Sequence, residues 1–243
     1  MDPADPATWW SCMPALGHTV PEEAVRADFL SMDLAEFCRA YLNLWVPKVY
    51  GQQVIATADW VGCCDPGSQI AGDNVVFALD VAPESAWAAI AVAGARDDGL
   101  PHGEVIDHRA GDGWVVDRIV ELRDRWGRRP VVLDPAGPAG ALLPALHTAG
   151  IEPVSSTARE MAQACGALKS GAKDRTFRHL GQQVVTDALA GAATRQLLDA
   201  WAFRRRSSSC DISPLVALTL ALWLLSTNTE TAYTDEELMQ SFG

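Results

Sequence analysis

Three aspartates stand where a carboxylate needs a reason. Asp80 closes an apolar run in FALDVAP, Asp134 closes another in VVLDPAG, and Asp211 opens the most hydrophobic stretch of the chain in SSSCDISPLVA. Burying a carboxylate at the end of a central strand is costly unless it is paired or holds a metal. In open α/β sheets, sites gather where the carboxyl ends of strands meet. Two strand ends and one helix start would bring three acids to such a place. The acids lie 54 and 77 residues apart, so only a fold can join them. Each also has a structural reading. Asp80 precedes Pro83 and can begin a turn, Asp134 before Pro135 and Gly137 fits an Asx-turn, and Asp211 fits a helix cap with Pro214 in the first turn. Spacing alone does not choose between these readings.

Other polar residues are less pointed. Arg204, Arg205 and Arg206 form a basic run just before Asp211. Such a run is either a solvated face or a sequence-independent grip on phosphates. His179 in RHLGQ could line a binding path or be a hydrogen-bonded structural histidine. Asp199 reads as a solvent-facing helix residue, and Asp107, Asp112, Asp117 and Asp124 as surface positions of helices or turns.

The elements around these residues alternate. Short apolar strands are predicted over 75–81, 86–95 and 104–108, close enough in sequence for antiparallel pairing. An amphipathic helix follows over 113–126, with Val116, Ile119, Val120 and Arg123 at helical spacing. A buried strand is predicted over 130–134, a helix over 140–149 ended by Gly150, a strand over 151–155 and a helix over 157–168. The pattern then predicts a helix over 182–199, a strand over 201–205 and a final helix over 211–226. The order predicts an α/β mixed sheet: three antiparallel strands, then parallel ones joined and flanked by helices. Residues 1–48 read as a separate helical segment, with one helix from Pro21 to about Leu44. Residues 49–74 read as a linker with turn chemistry, 75–226 as the α/β domain, and 227–243 as an acidic flexible tail.

Composition bounds the rest. The chain has 243 residues, 49% of them hydrophobic and 21% charged, as in an ordinary globular protein. Nine tryptophans are expected mostly as core or interface anchors. The net charge of −12 is opposite to the basic signature of nucleic-acid binders. An acidic metal site would contribute to that balance, and bound metal inverts its charge. The six cysteines have no zinc-ligand spacing and read as reduced thiols. The longest apolar run, PLVALTLALWLL, is too short to span a bilayer. No signal-peptide pattern opens the chain. Together these predict a cytoplasmic protein without a membrane partner.

Residues 75–225 resemble the nuclease domain of phage terminase large subunits, particularly those of actinobacterial phages. The likeness is carried by FALDVAPESAWAAIAVAG, GWVVDRIVELRDRWG, VVLDPAGPAG, TAREMAQACG and RRSSSCDISPLVALTLAL. The early stretch WWSCMPALG with EFCRAYLNLW resembles the segment that joins the ATPase motor to the nuclease in that family. The resemblance implies an RNase H-like fold and three acidic metal ligands, which fall on Asp80, Asp134 and Asp211. It implies hydrolysis of concatemeric double-stranded DNA during packaging by two Mg²⁺ or Mn²⁺ ions, with Asp80 bridging them, Asp134 on one and Asp211 on the other. Arg204, Arg205, Arg206 and His179 become candidates for contact with DNA. A portal, a small terminase subunit and a separate ATPase domain become expected partners.

The chain departs from the family pattern in having no G-x-x-x-x-G-K-[ST] phosphate loop. No ATP site is expected, and the chain reads as a fragment, a split gene product or an excised domain. Two other classes fit the same acids: an RNase H-like nuclease of the resolvase or transposase type, and a non-catalytic terminase remnant that docks on a packaging partner. An actin-like phosphotransferase is disfavoured, because DVAPES offers Pro83 where a phosphate-gripping glycine turn would be required.

Overall fold

The computed structural model describes residues 5–32, 34–43, 53–197 and 199–241. The chain divides into two compact units, Met1–Val49 and Tyr50–Gly243. In the first, α1 (Pro6–Cys12), α2 (Glu22–Ser31) and α3 (Leu34–Tyr41) surround Trp9, Leu16, Val25 and Phe37. Asp5 caps α1 by accepting from the Ala7 amide, and Pro6 takes the first-turn position that needs no donor. The predicted helix over 21–44 is therefore two helices, the first of which ends with a cap at Met32.

The second unit opens with α4 (Thr57–Gly62), inside the stretch expected to be a linker. Its Trp60 and the following Cys63 are buried, and the backbone of 63–65 bonds to His179. The turn chemistry is present from Asp65 onward, but Val54, Ile55 and Trp60 supply enough apolar surface to dock the segment on the core.

The sheet begins with β1 (Val75–Val81), β2 (Trp87–Ala95) and β3 (Pro101–Ala110), all antiparallel. After α5 (Val115–Trp126) comes β4 (Val131–Leu133), parallel to β1. A 3₁₀ turn and α6 (Leu143–Thr148) lead to β5 (Val154–Ser155), parallel to β4. The capped helix α7 (Ala158–Asp174) leads to β6 (Arg178–His179), which pairs parallel with β3. The strand order is β5-β4-β1-β2-β3-β6. This is the predicted mixed α/β sheet, with one short edge strand, β6, that the sequence pattern does not mark.

Beyond residue 191 the structure departs from expectation in part: the strand expected over 201–205 is present, but the helix before it is shorter and the final helix longer. Helix α8 (Gln183–Gly191) stops early, and β7 (Thr194–Leu197) and β8 (Ala200–Phe203) form an antiparallel hairpin. The predicted helix over 182–199 thus ends eight residues short. Helix α9 (Ser213–Ser241) runs beyond the predicted end at 226.

Both faces of the sheet are covered. Val76 and Ala78 of β1, with Ala89, Ala91 and Ala93 of β2, meet α7, α8 and α9. Val75, Phe77, Leu79 and Val81 meet α5 and α6. Burial on both faces is why β1 reads as a continuous apolar run and not as an alternation. The run of alanines in β2 lets α9 lie close. The tryptophans divide: Trp9 and Trp60 are core, whereas Trp10, Trp87 and Trp126 are exposed. Among the described residues no helix is long and apolar enough to cross a membrane.

Candidate active site

Asp80 sits within β1, not in a turn, and is wholly buried. By the alternation of the strand it shares the α9 face with Val76 and Ala78. Its carboxylate is satisfied by one residue. Arg205 donates from Nη2 to Asp80 Oδ1 at 2.6 Å and from Nε to Oδ2 at 3.1 Å.

Asp134 follows β4, the parallel neighbour of β1, so the two acids emerge side by side. Asp134 Oδ1 accepts from the Ala136 amide at 3.1 Å, an Asx-turn, while Oδ2 accepts from Arg205 Nη1 at 3.0 Å. The Asx-turn and the approach to Asp80 coexist, because each uses a different oxygen of Asp134. The turn is shaped by its glycines. A first side-chain carbon on Gly137 would lie 3.1 Å from Arg205 Cζ, Arg205 Nη1 and Asp134 Oδ2, and one on Gly140 would lie 2.2 Å from the Pro135 carbonyl oxygen.

Asp211 lies just before α9. Its Oδ1 accepts from the Ser213 amide at 2.9 Å, an Asx-turn one residue ahead of the cap position at Ile212. Its Oδ2 accepts from Ser213 Oγ at 2.8 Å and lies 2.8 Å from His108 Nε2. His108 belongs to β3 and pairs with Ala89, which itself pairs with Asp80. The three residues lie in one row across the sheet, with the small Ala89 between the polar ones. Trp87 stacks on the His108 ring at 4.8 Å.

The electrostatics follow from this geometry. One guanidinium faces two carboxylates, with a third nearby. Burial pushes the Asp80 carboxyl up to about 6, the charges of Asp134 and Asp211 add to the rise, and Arg205 opposes it. Burial acts upward on Asp211 too, but the bonds from His108 and Ser213 outweigh it and hold its carboxyl below the usual range. Arg205 is only 13% exposed. Burial alone would lower it, and the two aspartates overcome that and hold it more firmly protonated than usual.

The remaining predicted site residues separate. Arg204 and Arg206 are exposed, flanking the inward-turned Arg205 on a short 3₁₀ turn. Asp199 is exposed in the turn of the hairpin, not on a helix. His179 is buried away from solvent. Its Nε2 lies 3.0 Å from the Trp60 carbonyl, its Nδ1 accepts from the Gly181 amide at 3.0 Å, and its ring stacks on Trp60. Both ring nitrogens are used structurally, and none is offered to a ligand. Among the described residues no three His, Cys, Asp or Glu side chains are grouped so as to hold a metal ion as they stand. Arg205 stands between two of the acids, and the third faces His108.

Sequence reasoning missed Arg205 as a partner of the acids and missed His108 altogether. The middle position of the arginine run was visible, but its direction depends on a turn between two elements. His108 carried no signal, because its orientation depends on a bulge in β3.

No protein-family model matches the chain, and no curated protein matches it by sequence. Solved structures do match by shape. The large terminase of bacteriophage HK97 superposes with a TM-score of 0.60 at 17% identity, over 92% of this chain and 55% of that one. The large-terminase nuclease of thermophilic phage G20c gives 0.54 at 14% identity, over 70% of this chain and 97% of that one. The magnesium-bound form of that nuclease gives 0.52 at 14% identity, over 70% and 96%. The chain thus spans about half the length of the HK97 protein and nearly all of the G20c nuclease. At these identities the likeness establishes the fold.

Proposed function

We propose that this chain, whose mixed sheet is the RNase H-like fold of a phage large-terminase nuclease, is a metal-dependent DNA endonuclease acting in genome packaging. The observation that carries the reading is the convergence of Asp80 and Asp134, from neighbouring parallel strands, on a single cation. Asp211 is close enough to add to their mutual repulsion.

The donor set fits a hard divalent cation. It consists of carboxylate oxygens, which suit Mg²⁺ or Mn²⁺, and a positive group already stands between two of them. Asp80, central and wholly buried, would hold such metal together with Asp134 and Asp211. Such ions supply an activated water and a stabilised leaving oxygen for in-line displacement at phosphorus. His108 and Ser213 hold Asp211 in one orientation. Arg204 and Arg206, exposed at the same edge, are the groups proposed to meet backbone phosphates of duplex DNA. The proposed setting is the cytoplasm of the host cell, with a separate ATPase domain, a portal and a small terminase subunit as partners.

One observation favours a second reading. Arg205 bridges Asp80 and Asp134 in the way a permanent buried ion pair would, and this suits a non-catalytic docking remnant. Plasmid DNA incubated with the protein and Mn²⁺ or Mg²⁺ separates the two. The nuclease reading expects nicking or linearisation that EDTA and Asp80→Asn both abolish. Folded protein that leaves the plasmid intact with either metal contradicts it.

A further inference from the structure

We propose that Arg205 holds the place of a divalent cation between Asp80 and Asp134, and that its guanidinium must withdraw before metal can enter. The inference rests on the metal-nuclease reading of the same acids and concerns how that site is regulated.

Occupancy is mutually exclusive by geometry. Three Arg205 nitrogens point at three carboxylate oxygens: both oxygens of Asp80 and Oδ2 of Asp134. A metal bridging these acids would need the same oxygens in the same gap. The seat is also shaped for the guanidinium. Gly137 borders it, and any side chain there would begin 3.1 Å from Arg205 Cζ and Nη1. The planar fork of arginine bonds Asp80 bidentately and reaches Asp134 with a third N–H, a fixed geometry that the compact head of a lysine does not reproduce.

Withdrawal does not require unfolding. The segment that carries Arg205 is anchored by its backbone and by Ser208. The Arg204 amide donates to Ala193 O at 2.8 Å, Ser208 Oγ donates to Arg204 O at 2.8 Å, and the Ala193 amide donates to Ser208 Oγ at 3.0 Å. None of these bonds involves the guanidinium, so the side chain can rotate away from the acids while the turn stays in place. The exchange is favoured by charge. Arg205 offers one positive charge to two carboxylates, whereas a divalent ion balances both.

The test is the binding of Mn²⁺ to the whole chain without DNA, followed by the loss of the free-ion spin-resonance signal. Wild type, Arg205→Gln and Arg205→Lys are compared, with Asp80→Asn as the control that locates the site. A metal-competent state populated to about a tenth would weaken apparent affinity about tenfold. Arg205→Gln should therefore bind Mn²⁺ about tenfold more tightly than wild type, with Arg205→Lys between them. In EDTA the glutamine variant should melt below wild type and recover on adding Mn²⁺. Equal or weaker binding by the glutamine variant, with wild type still binding at Asp80, overturns this inference and leaves the nuclease reading standing. Absence of Mn²⁺ binding in every protein overturns both. If the glutamine variant does not fold, the lysine variant decides: affinity no higher than that of wild type overturns the inference.

Discussion

His108 reaches Asp211 because β3 carries one residue too many. Ile90 pairs with Asp107 and Ala91 with Val105, which leaves Ile106 without a partner in β2. Regular alternation from Val105 would have put Asp107 on the α9 face. The bulge turns His108 there instead, a re-aiming that bulges perform near sites. Because His108 and Ser213 together fix Asp211, His108→Ala should lower metal-dependent cleavage about 10- to 100-fold. His108→Gln should restore part of it, because an amide can still donate to the carboxylate. Cleavage rates at saturating Mn²⁺ are the readout, and an alanine variant as fast as wild type would remove His108 from the site.

A second residue-scale expectation concerns pH. Burial holds the His179 imidazole below its ordinary range of about 6.5, and the nearby His102 adds to that while the Trp60 carbonyl opposes it. The Gly181 amide donates to Nδ1, so the folded chain needs that nitrogen unprotonated. The unfolded chain takes up the proton more readily, so stability rises with pH across this window. The His179 contribution is fully present above the ordinary value and is lost as pH falls toward the folded one. Urea unfolding at pH 7.5 and 5.5 should show a larger loss for wild type than for His179→Asn. Equal losses would exclude His179 as the cause.

Among the elements, the turn after β4 bears most directly on the acids. VVLDPAGPAG folds back on itself so that the Gly140 α-carbon lies against the Pro135 carbonyl. The contact is with backbone and cannot be relieved by a rotamer change. Gly140→Ala should therefore cost about 1–3 kcal/mol, as overpacking does, and should displace Asp134. Gly113→Ala meets nothing within 4 Å and should stay within about 0.5 kcal/mol of wild type. Equilibrium urea unfolding of both variants checks this, and similar values for the two would contradict the close approach described for Gly140.

The legibility of the chain varies by element for physical reasons. The three acids could be picked out because apolar runs frame them, and β1 and β2 could be read as apolar runs; of β3 only the centre, 104–108, could be, because Pro101, Gly103 and its polar ends carry no strand signal. Of the hairpin β7–β8, only β8 could be read, within the strand expected over 201–205; β7 could not. Ala192 and Ala193 extend a helical composition past Gly191, and the two strands pair only with each other. Strand β6 is two residues long and depends on His102 and Gly103 for its pairing. Arg205 became a partner of Asp80 through a contact between residues 125 positions apart, which no local pattern encodes.

For the molecule as a whole, the net charge of −12 has a partial structural account. Carboxylates are concentrated where the fold brings β1, β4 and α9 together, and one buried arginine does not balance them. The basic residues proposed to meet DNA are confined to the adjoining edge at Arg204 and Arg206. An acidic chain can then act on an anionic polymer only where cations and that edge meet it. The chain covers 55% of the length of the HK97 terminase. The most direct test of the metal site is an anomalous-difference map from a crystal of this chain soaked in MnCl₂. Metal binding at this site would place manganese about 2 Å from oxygens of Asp80 and Asp134, with Asp211 beside it and the Arg205 guanidinium displaced. Arg205 still seated between the two acids at saturating Mn²⁺, with no metal peak there, would contradict it.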